Sequence, residues 1–107
     1  MDENGRPLTE TVYYVLLSLV EQRHGYAIMQ FVQDMTSGRV VLGAGTLYGA
    51  LSTLQGKGWI EPVGTGSGDR KKEYRITRHG RAVLAAEIGR LENLVSDGRA
   101  IMKESAS

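Results

Sequence analysis

The last 30 residues of the chain repeat their apolar side chains at one interval. After Val83 and Leu84 come Ile88, Leu91, Val95 and Met102, at steps of four, three, four and seven counted from Leu84. Only a long helix puts those positions on one seam. Thr77 stands where its hydroxyl can cap the first turn, and the pattern predicts a helix of about 25 residues. Leu94 and Ile101 flank the seam. Gly80, Gly89 and Gly98 each weaken the helix by up to about 1 kcal/mol relative to alanine. No later element follows to cover the seam, so a partner is expected. The simplest is the same helix of a second chain, with Leu84, Ile88, Leu91, Val95 and Met102 at the interface.

The chain has 107 residues in all, enough for one compact domain. The expected division is residues 1–77 as one unit and 78–107 as the partner-seeking helix. Within the first unit, MDENGR is polar and expected to fray. Thr9 reads as an N-cap with Glu10 in the first turn. Val12, Leu16, Leu19 and Val20 form a helical stripe expected to end near Arg23-His24-Gly25, with Gly25 in a positive-φ turn. Tyr13 and Leu17 make a second stripe, more than a peripheral helix needs, and join the expected interface. A second helix carries Ile28, Phe31, Val32 and Met35. Arg39–Leu42 is either a brief strand or extended chain. A third helix follows Gly43-Ala44-Gly45, with Thr46 near its start as a cap and Leu47, Leu51 and Leu54 facing inward. Trp59–Val63 and Lys71–Ile76 read as two strands of a hairpin around a glycine-rich loop, with Tyr74 and Ile76 inward. The fold class is therefore mainly α with a small β-hairpin.

Several chemistries drop out. There are no cysteines, which excludes disulfides, thiolate metal sites and cysteine nucleophiles. No apolar run approaches the ~20 residues of a membrane span, and no signal-peptide pattern opens the chain, so a cytoplasmic protein is expected. His24 and His79 lack neighbouring ligands in sequence, and no metal or other cofactor is expected. No nucleophile–base–orienter pattern supports an enzyme. The segment Gly64–Gly68 lacks the lysine and the helix of a phosphate loop.

The net charge is +1, but it is unevenly distributed. Residues 1–38 hold two basic and five acidic side chains, residues 39–81 eight basic and three acidic, and residues 82–107 three basic and four acidic. Most of the positive charge is Arg70, Lys71, Lys72, Arg75, Arg78 and Arg81. Charge alone fits a solvated hairpin or a polyanion contact equally well. The third helix favours the second. Its outward face, Thr46, Tyr48, Gly49, Ser52 and Thr53, is small or hydrogen-bonding and uncharged, whereas a solvent face would carry Glu, Lys or Gln. Three helices followed by a hairpin with a basic flank form a winged helix-turn-helix. Its third helix suits the major groove and its wing the phosphate backbone.

The segment from Leu8 to Leu84 resembles the PadR-type transcriptional regulators. The matching residues are His24-Gly25-Tyr26-Ala27-Ile28, Gly45-Thr46-Leu47-Tyr48-Gly49-Ala50-Leu51, Gly58-Trp59-Ile60, and Arg70-Lys71-Lys72-Glu73-Tyr74-Arg75-Ile76-Thr77-Arg78-His79-Gly80-Arg81. Gly43-Ala44-Gly45 departs from the Ser-Pro-Gly common in the family. The resemblance implies a homodimeric repressor on a palindromic operator, released by a small effector. The uncharged face and the basic flank, with the resemblance deciding for Tyr48, make Tyr26, Thr46, Tyr48, Gly49, Ser52, Arg70, Lys71 and Lys72 the expected DNA contacts. Tyr13, Tyr14 and Met102 suit a pocket for a flat apolar or aromatic effector. The alternative function is a winged-helix protein–protein module, against which the uncharged polar third helix argues.

Overall fold

The computed structural model describes residues 1–64 and 72–106. The elements run α1 (Glu10–Ser18), β1 (Arg23–His24), α2 (Gly25–Met35), α3 (Ala44–Gly56), β2 (Ile60–Val63), β3 (Glu73–Ile76) and α4 (Arg78–Ala106). Thr9 caps α1, accepting a bond from the Val12 amide at 3.1 Å. Thr77 does the same for α4 through the Gly80 amide at 3.0 Å. The inward leucines of α3, Leu47, Leu51 and Leu54, meet Val15, Leu16 and Leu19 of the α1 segment and Ile28 and Val32 of α2 in one core, closed by Trp59, Ile60, Tyr74 and Ile76.

Within residues 1–77 three expectations change. First, α1 stops at Ser18, not near Gly25. The Ser18 hydroxyl turns back onto the Val15 carbonyl at 2.6 Å, a bond that competes with helix continuation. The freed carbonyls find other donors: Ser18 takes the Arg23 guanidinium at 2.5 Å, Leu19 the Ile76 amide at 2.8 Å and Val20 the Arg81 guanidinium at 3.2 Å. Gly25 is the first residue of α2 and is not among the positive-φ glycines. Second, the sheet has three antiparallel strands in the order β1-β3-β2, with Arg23 opposite Tyr74 and Ile60 opposite Ile76. Arg39–Leu42 contributes no strand. Third, residues 1–6 are docked. The Asp2 carboxylate accepts the Asn4 and Arg6 amides at 2.9 and 2.8 Å, and Glu3 bonds the Trp59 indole N–H at 3.0 Å and His79 at 3.2 Å.

The α4 helix has 29 residues, and its inner end belongs to the core. Leu84, expected at a partner interface, is only 5% exposed within the single chain. Gly80 lies against the hairpin base. A Cβ there would fall 2.8 Å from Ile76 Cγ1 and 2.9 Å from the Trp59 carbonyl carbon, so only glycine lets α4 start here. Glu87 is also buried, at 2% exposure. Its carboxylate takes two bonds from Arg90 at 2.7 Å, the amino terminus at 2.9 Å and the Leu8 amide at 3.2 Å. These partners, Arg90 foremost, hold its pKa at about 2, against desolvation. Beyond Leu91 the helix is exposed and runs out of the domain, which makes the molecule 62 Å long and only 20 Å thick.

Candidate nucleic-acid interface

Leu47, Leu51 and Leu54 fix the rotation of α3 by burying one stripe, which turns the opposite side outward. Thr46, Tyr48, Gly49, Ser52 and Thr53 are all exposed on it. The expected polar face is therefore present and free. Thr46 does not cap the helix. It is the third helical residue, and the N-cap is Gly43, which makes no side-chain bond. Tyr48 is half exposed, at 52%, and its hydroxyl makes no hydrogen bond among the described residues. Its ring leans toward the first residue of α2. It also neighbours the buried Tyr74, whose phenol is pushed up mainly by burial and secondarily by Tyr48. Tyr26, second residue of α2, is 68% exposed.

Among the described residues several cations are engaged by the protein itself. Arg75 pairs with Glu61 across the hairpin at 2.8 Å. Arg81 closes the end of α1, as described above. Lys57 is the C-cap residue of α3, with its ammonium 5.1 Å from the Trp59 ring. Arg23 covers Phe31 at 4.6 Å and Arg39 pairs with Glu10. Lys72 is exposed, with its ammonium 5.7 Å from the Tyr74 ring. Arg70 and Lys71, the other two expected wing contacts, lie outside the described residues. Of the two histidines, His24 is the N-cap of α2, accepting the Ala27 amide at 3.2 Å, and His79 pairs with Glu3. Among the described residues no helix is long and apolar enough to cross a membrane.

A second surface lies along α1 and α4. Tyr13, Ile88, Leu91, Glu92, Val95, Ser96 and Arg99 line an open groove of about 500 Å3. Leu17 is half-buried against the core, and Met102, at 71% exposure, lies beyond the groove. Tyr14 does not line it either: its hydroxyl accepts a bond from Arg39 at 3.3 Å. Of the three expected effector residues, only Tyr13 is at the groove. Burial, then Tyr14 and the Glu87 charge, push its phenol up.

A three-helix core, a small antiparallel sheet and an exposed uncharged third helix beside the wing define a winged helix-turn-helix protein. The model of the PadR-like family of transcriptional regulators matches residues 13–86, more than half of the chain, and the chain belongs to that family. An uncharacterised protein of Lysinibacillus sphaericus is 31% identical over 90 residues, 77% of this chain and 83% of its own length. A transcriptional regulator from Clostridium thermocellum superposes with a TM-score of 0.67 at 26% identity, over 86% of this chain and 89% of that one. PadR of Bacillus subtilis, solved in complex with operator DNA, superposes with a TM-score of 0.66 over 77% of this chain and 48% of that one. At 24% identity it speaks for the fold alone. The family is one of transcriptional regulators, not of enzymes.

Two residues make contacts that the sequence pattern does not show. Gly25 reads as a helix stop, and nothing local reveals Tyr48 above it. Glu87 carries no expectation from the sequence. Its only signal is that it shares the inward stripe with Leu84 and has Arg90 three residues on.

Proposed function

We propose that the chain binds double-stranded DNA as a homodimer and represses transcription from a palindromic operator. The observation that carries this reading is the exposed, uncharged hydrogen-bonding face of α3, with Lys72 exposed at the start of the wing's return strand. Compact donors and acceptors can approach base edges in the major groove, where bulky acids would be repelled by phosphate. Thr46, Tyr48, Gly49 and Ser52 supply that face, and Tyr26 adds a contact from the start of α2. The wing lysines Lys71 and Lys72, with Arg70, supply sequence-independent phosphate contacts. The unit 1–77 presents these groups and the helix from 78 onward pairs the chains through Ile88, Leu91, Val95 and Met102, with Tyr13 and Leu17 alongside. Replacing Lys71 and Lys72 with Ala tests the wing. Affinity for all sequences should fall, and the slope of log affinity against log salt should flatten by about one unit per lost contact. An unchanged slope would remove the wing from the interface.

Release from DNA is assigned to a flat apolar or aromatic effector in the groove between α1 and α4. The groove has an apolar wall, Ile88, Leu91 and Val95, and one amphipathic ring, Tyr13. Such a ligand shifts the equilibrium only by binding the free and DNA-bound forms unequally. Planar aromatic compounds should raise Tm and lower DNA affinity in the parent, and do neither in Tyr13→Ala. A variant that responds like the parent would leave the groove as interface packing.

A further inference from the structure

The first residue of α2, Gly25, faces the ring of Tyr48 in the second turn of α3. A Cβ placed on Gly25 would overlap the Tyr48 hydroxyl oxygen and lie 3.0 Å from Cζ and 3.4 Å from Cε1 of the same ring. These are its three nearest neighbours outside its own chain segment, and all belong to one ring. Gly25 is buried, yet its backbone is not in the left-handed region, so alanine is conformationally acceptable there. The obstacle is the far end of a single side chain that is itself half exposed and without a hydrogen bond to hold it. An added methyl would therefore turn the ring aside while leaving the helices in place.

We propose that Gly25 is a positioning residue for DNA binding: its missing side chain provides the seat in which the Tyr48 ring is held across the gap between α3 and the start of α2, next to Tyr26. The inference rests on the reading that Tyr48 touches DNA. It assigns to the glycine a role separate from the turn expected of it. Alanine is also the better helix former, so the effect on DNA binding and the effect on stability should part company.

The test is a double-mutant cycle of Gly25→Ala and Tyr48→Ala, read by fluorescence anisotropy on a labelled duplex of mixed sequence, with melts of each variant. Gly25→Ala should keep the parent's Tm or raise it, and weaken DNA binding about tenfold, the scale of one charge-assisted hydrogen bond. In the Tyr48→Ala background the same glycine change should alter affinity by less than about twofold. If Tyr48→Ala weakens binding but Gly25→Ala does not, the seat is overturned and the tyrosine contact stands. If Tyr48→Ala binds as the parent does, the contact itself fails and the seat with it. An equal loss from Gly25→Ala in both backgrounds, or a Gly25→Ala chain that no longer folds, would show that the glycine does not act by placing this ring.

Discussion

Glu87 offers a stability test that can be worked from the structure. Its carboxylate is the one buried acid among the described residues, held by Arg90, the amino terminus and the Leu8 amide. Glu87→Gln keeps the shape and removes the charge, leaving Arg90 unpaired at the core's edge. A carboxyl whose pKa falls from 4.5 to about 2 on folding stabilises the native state at neutral pH by roughly 3 kcal/mol. For a domain of this size that corresponds to a Tm loss of about 10–20 °C. Because the folded pKa is depressed, the stabilisation is full above the unfolded value near 4.5 and is lost as pH falls toward 2. At about pH 3 less than half should remain. Thermal melts of parent and variant at neutral pH and at stepwise lower pH should show two curves converging with acid. A Tm loss under about 3 °C at neutral pH, where a buried pair should matter most, would refute the reasoning. So would a gap that stays constant down to pH 3.

Two further outcomes follow from the packing. Leu91→Asp puts a charge into the middle of the exposed seam and should give monomer or unfolded chain by light scattering, since each buried seam residue contributes about 1.5–3 kcal/mol; an intact dimer would remove α4 from the interface. Gly80→Ala drives a methyl into the Trp59 carbonyl, which is backbone and cannot swing away. It should lower stability by about 1–3 kcal/mol in urea unfolding, where Gly25→Ala should not.

The helices and the hairpin were legible because each buries one periodic stripe. Leu47, Leu51 and Leu54 read inward at the helical period, and Tyr74 and Ile76 at the strand period, as the structure has them. Thr9 and Thr77 signalled their helix starts, because a cap is a bond within three residues. What sequence could not carry is contact between distant residues. The two-residue strand Arg23–His24 has no propensity of its own and exists because β3 offers it an edge. The early end of α1 is decided by donors from Arg23, Ile76 and Arg81. The first six residues looked frayable because their partners, Trp59, His79 and Glu87, lie more than 50 residues on. Leu84 fitted the seam but also lies on the helix's inner end, where the core covers it first. For the DNA surface, the outward face of α3 was readable from residue types. The engagement of Arg75 and Arg81 with the protein itself was not, because ion pairs and carbonyl caps across the sheet leave no trace in spacing.

Hydroxyl-radical footprinting on the DNA upstream of the protein's own gene, with the number of chains bound per duplex counted by analytical ultracentrifugation, tests the proposed mode of DNA binding. A homodimer presenting two α3 helices should protect two symmetric patches with centres about one helical turn, ~34 Å, apart, with two chains on each duplex. A single protected patch carrying one chain, or uniform weak protection with no symmetric pair on any duplex recovered by selection, would mean that the exposed face of α3 does not read a palindrome as a dimer.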